Sequence, residues 1–127
     1  MGSCELRDRR ILLVEDEMMV AWLIADMLGD LGCEVVGPAG HVDRALTMIA
    51  TEIIDAAVLD LNLGGVRSYP IADALTARGI PFVFATGYGE DSVLDRYRLW
   101  PVLPKPVERA KLQCVLSAMI LDIGQVN

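Results

Sequence analysis

Ala56-Ala57-Val58-Leu59-Asp60-Leu61-Asn62-Leu63-Gly64-Gly65 is the stretch whose reading decides the fold. Four small or apolar residues run into one carboxylate, and a glycine pair follows. An apolar run of this kind, ending at turn residues, reads as a buried strand of a parallel sheet. Asp60 then stands where that strand leaves the core. Open α/β sheets form their ligand crevices just outside the carboxyl ends of the strands. An acid placed there calls for partners, and the flanking sequence supplies them.

Upstream, Ile11-Leu12-Leu13-Val14 follows Arg9-Arg10 as a short apolar strand and ends at Glu15-Asp16-Glu17. Val20, Leu23, Ile24, Met27, Leu28 and Leu31 then fall at helical spacing, and Gly32 stops the helix. Glu34-Val35-Val36-Gly37 is a second strand closed by Pro38, and Val42, Ala45, Leu46, Ile49 and Ile53 mark a second helix. Downstream of Asp60, Ser68 is placed to cap a third helix with Ile71, Ala74 and Leu75 facing inward and Gly79 beyond its end. Phe82-Val83-Phe84-Ala85 is a fourth strand, left through Thr86-Gly87-Tyr88-Gly89. A short helix around Asp91–Tyr97 follows, then a fifth strand, Trp100-Pro101-Val102-Leu103, ending at Pro104-Lys105-Pro106. Leu112, Val115, Leu116, Met119, Ile120 and Ile123 repeat the spacing of the first helix.

Strand and helix thus alternate through five repeats, which implies an α/β fold with a parallel sheet and helices on both faces. Proline cannot donate to a sheet ladder, so Pro38, Pro101 and Pro104 push the second and fifth strands to the edges. Two edges and three central strands fit the doubly wound order 2-1-3-4-5. The 127 residues suit one domain, 1–127 with its core at about 10–123, and no output domain is expected.

Composition narrows the partners. A 54% hydrophobic content excludes disorder, and a net charge of -7 argues against nucleic acid and anionic membrane surfaces. Cys4, Cys33 and Cys114 are widely spaced and contain no CxxC pair, as expected of apolar fillers in a reducing compartment. No apolar run approaches the ~18 residues of a membrane span. Met1–Arg7 has no signal-peptide core, so a soluble, cytoplasmic protein is expected.

At the predicted carboxyl ends stand Glu15 and Asp16, Asp60, Thr86 and Lys105. Three acids within about 6 Å repel one another by roughly 3 kcal/mol per pair at an effective dielectric near 20. A proton, a cation or Lys105 must relieve that repulsion. Oxygen-only ligands favour a hard divalent ion such as Mg²⁺, which leaves coordination positions for a phosphate oxygen. With a hydroxyl and an ammonium added, the set holds the parts that phosphoryl transfer requires, and Asp60 is the best placed nucleophile. Alone, each residue has a plainer reading: helix N-terminal charge for the acids, turn or cap chemistry for Asp60 and Thr86, a solvated loop for Lys105. Together they converge on phosphate.

Glu15-Asp16, Asp60, Thr86 and Lys105-Pro106, in this order on a five-fold β-α repeat, resemble the receiver domain of two-component response regulators. The resemblance covers about Arg10 to Ile123. It implies that Asp60 accepts a phosphoryl group from a histidine kinase or a histidine phosphotransfer protein and signals to a downstream protein target. It also implies Mg²⁺ held by Glu15, Asp16, Asp60 and the backbone carbonyl of Asn62. Lys105 would pair with the phosphoryl oxygens, Thr86 would hydrogen-bond them, and Lys105-Pro106 would be cis. Pro81-Phe82-Val83-Phe84-Ala85-Thr86-Gly87-Tyr88-Gly89 and Asp60–Gly65 resemble the FAT GUY subgroup, mostly stand-alone domains of alphaproteobacteria, some tied to the general stress response.

Two departures from the family pattern stand out. The loop after Asp60 lacks the usual Met-Pro pair, and Val102 occupies the position, three before the lysine, where receivers often keep an aromatic switch. Tyr88 or the segment between Gly89 and Leu99 is then expected to carry the response. The competing reading is a phosphorylation-independent protein-binding module. A hydrolase with an aspartyl-phosphate intermediate would need a second acid two residues after the nucleophile, where this chain has Asn62. A flavin binder would need Gly, Ser or Thr in the first turn instead of Glu15-Asp16-Glu17.

Overall fold

The computed structural model describes residues 6–87, Tyr97 and residues 100–126, with residues 122–126 described by their backbone. In chain order the elements are β1 (Arg10–Val14), α1 (Met18–Asp30), β2 (Glu34–Ala39), α2 (Val42–Thr51), β3 (Ala56–Asp60), β4 (Asn62–Leu63), β5 (Val66–Arg67), α3 (Tyr69–Ala77), β6 (Phe82–Thr86), β7 (Val102–Pro104) and α4 (Arg109–Val126). The main sheet runs β2-β1-β3-β6-β7, and every pairing in it is parallel. This is the expected 2-1-3-4-5 order, because the uninterrupted apolar strands took the centre and the proline-bearing ones the edges. The helix expected around Asp91–Tyr97 lies outside the described residues apart from Tyr97 itself.

Side-chain alternation divides the core between the two faces of the sheet. Ile11, Leu13, Val58, Val83 and Ala85 pack with Ile24 and Leu28 of α1 and Leu112 and Leu116 of α4. Leu12, Val14, Leu59, Phe82 and Phe84 point the other way, onto Ala45 and Ile49 of α2 and Ile71 and Leu75 of α3. The central strand β3 is buried along its whole length, which places its terminal Asp60 at the rim of a dry layer.

The structure corrects the sequence reading at several points. β2 continues through Pro38 to Ala39, with a register irregularity opposite Leu12/Val14 and a cis Gly37-Pro38 bond. An edge position tolerates the missing N–H. The glycine pair after Asp60 closes a two-stranded hairpin, β4–β5, which the apolar pattern did not reveal. Leu23, expected inside, is exposed beside Met18, Met19 and Trp22 on the outer face of α1. α2 ends at Thr51, so Ile53 falls beyond the helix and is also exposed. Ser68 occupies the N-cap position of α3, but its hydroxyl forms no capping bond; the Ser68 carbonyl accepts from the N–H groups of Ile71 and Ala72 instead.

Gly37 has φ +104, and a Cβ there would meet Ala39 N at 2.9 Å and Leu13 O at 3.0 Å. Both neighbours are backbone and belong to the β1–β2 pairing, so neither has room to yield. Gly37→Ala is therefore expected to lower the unfolding free energy by roughly 2 kcal/mol, read as a reduced urea midpoint at unchanged slope.

Candidate functional site

Strand register brings the polar residues to one level. Val14 pairs with Leu59, Asp60 with Ala85, and Thr86 with Pro104. Beyond these pairs the ladder extends by one hydrogen bond at each strand: Glu15 N–H donates to Ala39 O, Leu61 N–H to Ala85 O, and Lys105 N–H to Thr86 O. Glu15, Asp60, Thr86 and Lys105 are consequently held by sheet geometry, not by loop conformation. Lys105-Pro106 is cis, as the sequence pattern implied.

Glu15, Asp60 and Thr86 are almost fully buried, at 3%, 4% and 2% exposure, while Asp16 is exposed. One carboxylate oxygen from each of Glu15, Asp16 and Asp60 lies within 4.8 Å of the others. The Lys105 ammonium bridges two of them, with Nζ 2.9 Å from Glu15 Oε1 and 3.2 Å from Asp60 Oδ1. The Glu15 Oε2 atom accepts from Glu17 N–H at 3.1 Å, and Asp60 Oδ1 accepts from Asn62 N–H at 3.2 Å.

The electrostatics follow from that crowding. Burial, then the neighbouring Glu15 charge, push the Asp60 carboxyl from 3.8 up to about 7, against the opposing pull of Lys105 and the Asn62 N–H. Burial alone would lower the Lys105 ammonium, but its hydrogen bond to Glu15 and the attraction of Asp60 and Glu15 outweigh burial and hold it above the ordinary lysine value. With all groups ionised, three carboxylates face one ammonium, leaving two negative charges for a divalent cation to neutralise. The donor set is oxygen only, partly dry and open on the Asp16 side. It fits a Mg²⁺-type ion, which binds through one or two carboxylates and retains waters.

The side chains of Glu15, Asp16, Asp60 and Lys105 meet at this rim, and Thr86 ends the strand beside them. Val102, at the position of the usual aromatic switch, pairs with Phe84 and is partly buried in the same cluster as Tyr97. Sequence reasoning missed the ring set around it. Tyr69 and Tyr97 stack at 4.4 Å between centroids, and each meets Phe84 edge-on at 6.1 Å. The Tyr97 hydroxyl donates to Asp73 Oδ1 at 2.6 Å. Phe84 lies two residues before Thr86 and so shares its face of β6. Tyr88 and the segment from Gly89, named as expected levers, lie outside the described residues except for Tyr97. Trp22 is exposed, whereas Trp100 stacks on Phe82 at 4.3 Å. His41 sits exposed at the N-cap of α2 without a capping bond.

A family model for the response regulator receiver domain matches residues 11–117. Among solved structures, SdrG from Sphingomonas melonis Fr1 is 46% identical with a TM-score of 0.80, covering 90% of this chain and 97% of SdrG. The BeF3-activated conformation of SdrG from Pseudomonas melonis Fr1 is also 46% identical, with a TM-score of 0.77 over 87% of this chain and 95% of that one. The response regulator PhyR from Brucella abortus is 26% identical with a TM-score of 0.83, covering 98% of this chain and 54% of PhyR. The curated transcriptional regulatory protein PdtaR of Mycobacterium tuberculosis is 28% identical over 91 residues, 71% of this chain and 44% of PdtaR. The chain spans about half the length of the curated relatives it matches. No helix among the described residues is long and apolar enough to cross a membrane.

A carboxyl whose folded value is raised to about 7 binds a proton more tightly when native. It therefore destabilises the native state progressively as pH rises from about 4 through about 7. Asp60→Asn removes this cost. In chelator at pH 8 the variant is expected to be more stable than the parent by roughly 2 kcal/mol, after allowance for solvent screening, and the gap should close below pH 4. Parallel denaturation curves across this range check it.

Proposed function

Because the chain belongs to the response regulator receiver domain family, we propose that it is a Mg²⁺-dependent phosphoacceptor in which Asp60 takes a phosphoryl group from a histidine kinase or a histidine phosphotransfer protein. A receiver is a phosphoacceptor and not an enzyme that turns over a free substrate. The observation that carries the proposal is the position of the Asp60 carboxylate, 3.2 Å from the Lys105 ammonium and within 4.8 Å of two further acids. Phosphorylation breaks the P–N bond of the donor phosphohistidine, leaves that electron pair on the imidazole, and forms a P–O bond to Asp60.

A bound Mg²⁺ would supply charge neutralisation at the phosphoryl oxygens. Glu15, Asp16, Asp60 and the Asn62 carbonyl are the groups proposed to hold it. Lys105 exchanges part of its contact with Asp60 for an incoming phosphoryl oxygen, and Thr86 donates its hydroxyl to another. The added charge of about -1.5 to -2 at Asp60 then biases the site's surroundings toward a second arrangement.

The donor is proposed to be a protein because the site opens beside an apolar surface. Met18, Met19, Trp22 and Leu23 are exposed on α1. Next to them, a cavity of about 400 Å³ is lined by Leu23, Ile24, Met27, Lys105, Pro106 and Val107. Lys105 belongs to both cavity and site, so a donor helix resting on α1 presents its histidine at the acid rim. The FAT GUY stretch Pro81–Gly89 and the 46% identity to SdrG over 97% of its length support a stand-alone receiver in a stress-response phosphorelay acting on a downstream protein.

Incubation with acetyl phosphate and Mg²⁺ is expected to add the mass of one phosphoryl group. Asp60→Asn should abolish the gain, and Lys105→Ala should cut its rate by at least tenfold. Chelation of Mg²⁺ should prevent it. No mass gain, or a gain that survives Asp60→Asn, would favour the phosphorylation-independent binding module.

A further inference from the structure

The hairpin β4–β5 joins the two sides of the acid pocket. Asn62 pairs with Arg67 and Leu63 with Val66, so Gly64-Gly65 forms a two-residue turn with φ +57 and +91. Positive φ at both central residues is the geometry of the tight hairpin turn that glycine favours. The N–H of Asn62 donates to Asp60 Oδ1 at 3.2 Å, and Oδ1 of the Asn62 side chain accepts from Gly65 N–H at 2.9 Å. At the tip, the space above Gly64 is bounded by Asp16 Oδ2, 3.6 Å from where a Cβ would lie. One residue thus grips the Asp60 carboxylate through its main chain and the turn through its side chain, while a second acid of the site faces that turn.

We infer that the Asn62 side chain is a positioning residue, a clasp that locks the hairpin so that the Asn62 carbonyl and Asp16 keep the spacing a divalent cation needs. This inference rests on the metal-binding reading above. The physical reason is local. A hairpin two residues long per strand has too few ladder bonds to hold its own geometry. A free Asn62 would let the peptide between Asn62 and Leu63 rotate and re-aim its carbonyl. The side chain bonded to Gly65 N–H closes the turn from within and removes that freedom. Groups that orient metal ligands without touching the metal typically change affinity 10- to 100-fold when lost.

The test compares the parent chain with Asn62→Leu, similar in shape but without the acceptor, and with Asn62→Asp, which retains an acceptor oxygen. Two quantities are read by NMR: exchange of the Gly65 amide in metal-free protein, and the Mg²⁺ dissociation constant from a titration. Asn62→Leu is expected to speed Gly65 exchange and weaken Mg²⁺ binding by about tenfold, with the rest of the amide spectrum unchanged. Asn62→Asp is expected to keep Gly65 protected. If Asn62→Leu fails to fold, Asn62→Ala is read in its place. Unchanged Mg²⁺ affinity despite an unprotected Gly65 amide would overturn the clasp while leaving the metal site standing. A parent chain that binds no Mg²⁺ would instead overturn the metal reading, and the clasp with it.

Discussion

The Lys105 ammonium, lodged between the buried carboxylates of Glu15 and Asp60, is the contact on which the site depends. Two acids this close in a dry setting are sustainable as carboxylates only with a positive charge between them. The lysine comes from the far end of the chain, and its neighbours leave it little freedom. Its N–H completes the ladder to Thr86 O. Position is therefore set by the sheet, and charge by the side chain.

That contact also explains the charge state of the site. One ammonium offsets part of the repulsion among three carboxylates; burial and the Glu15 charge, left uncompensated, raise Asp60 to about 7. A group so poised accepts either a proton or a cation with little rearrangement.

Around this centre the chain carries two supports of different character. Below, Phe84, Tyr69 and Tyr97 form a ring cluster that ties β6 to α3, reinforced by the Tyr97–Asp73 hydrogen bond. Above, the β4–β5 hairpin is tied to Asp60 and closed on itself through Asn62, with Asp16 facing its tip. The first is apolar and extended, the second polar and confined to six residues. The chain thereby fills the place of the family's Met-Pro loop with a closed turn, and Val102, at the place of its switch aromatic, pairs with Phe84 of the ring cluster.

The apolar runs 11–14, 56–59 and 82–85 and the placement of prolines were enough to separate central from edge strands, and the doubly wound pattern then supplied the order, because hydrophobic strands seek the centre and proline cannot donate to a ladder. Residue type at each strand end was likewise enough to bring Glu15, Asp16, Asp60, Thr86 and Lys105 into one list. Tertiary structure alone decided which lysine partners are made, why Leu23 faces outward, and that Gly64-Gly65 closes a hairpin. The reason is range. Periodicity and turn chemistry are properties of neighbouring residues, whereas an ion pair across 90 positions, a helix's rotation about its axis and a turn facing Asp16 depend on what the rest of the chain leaves exposed.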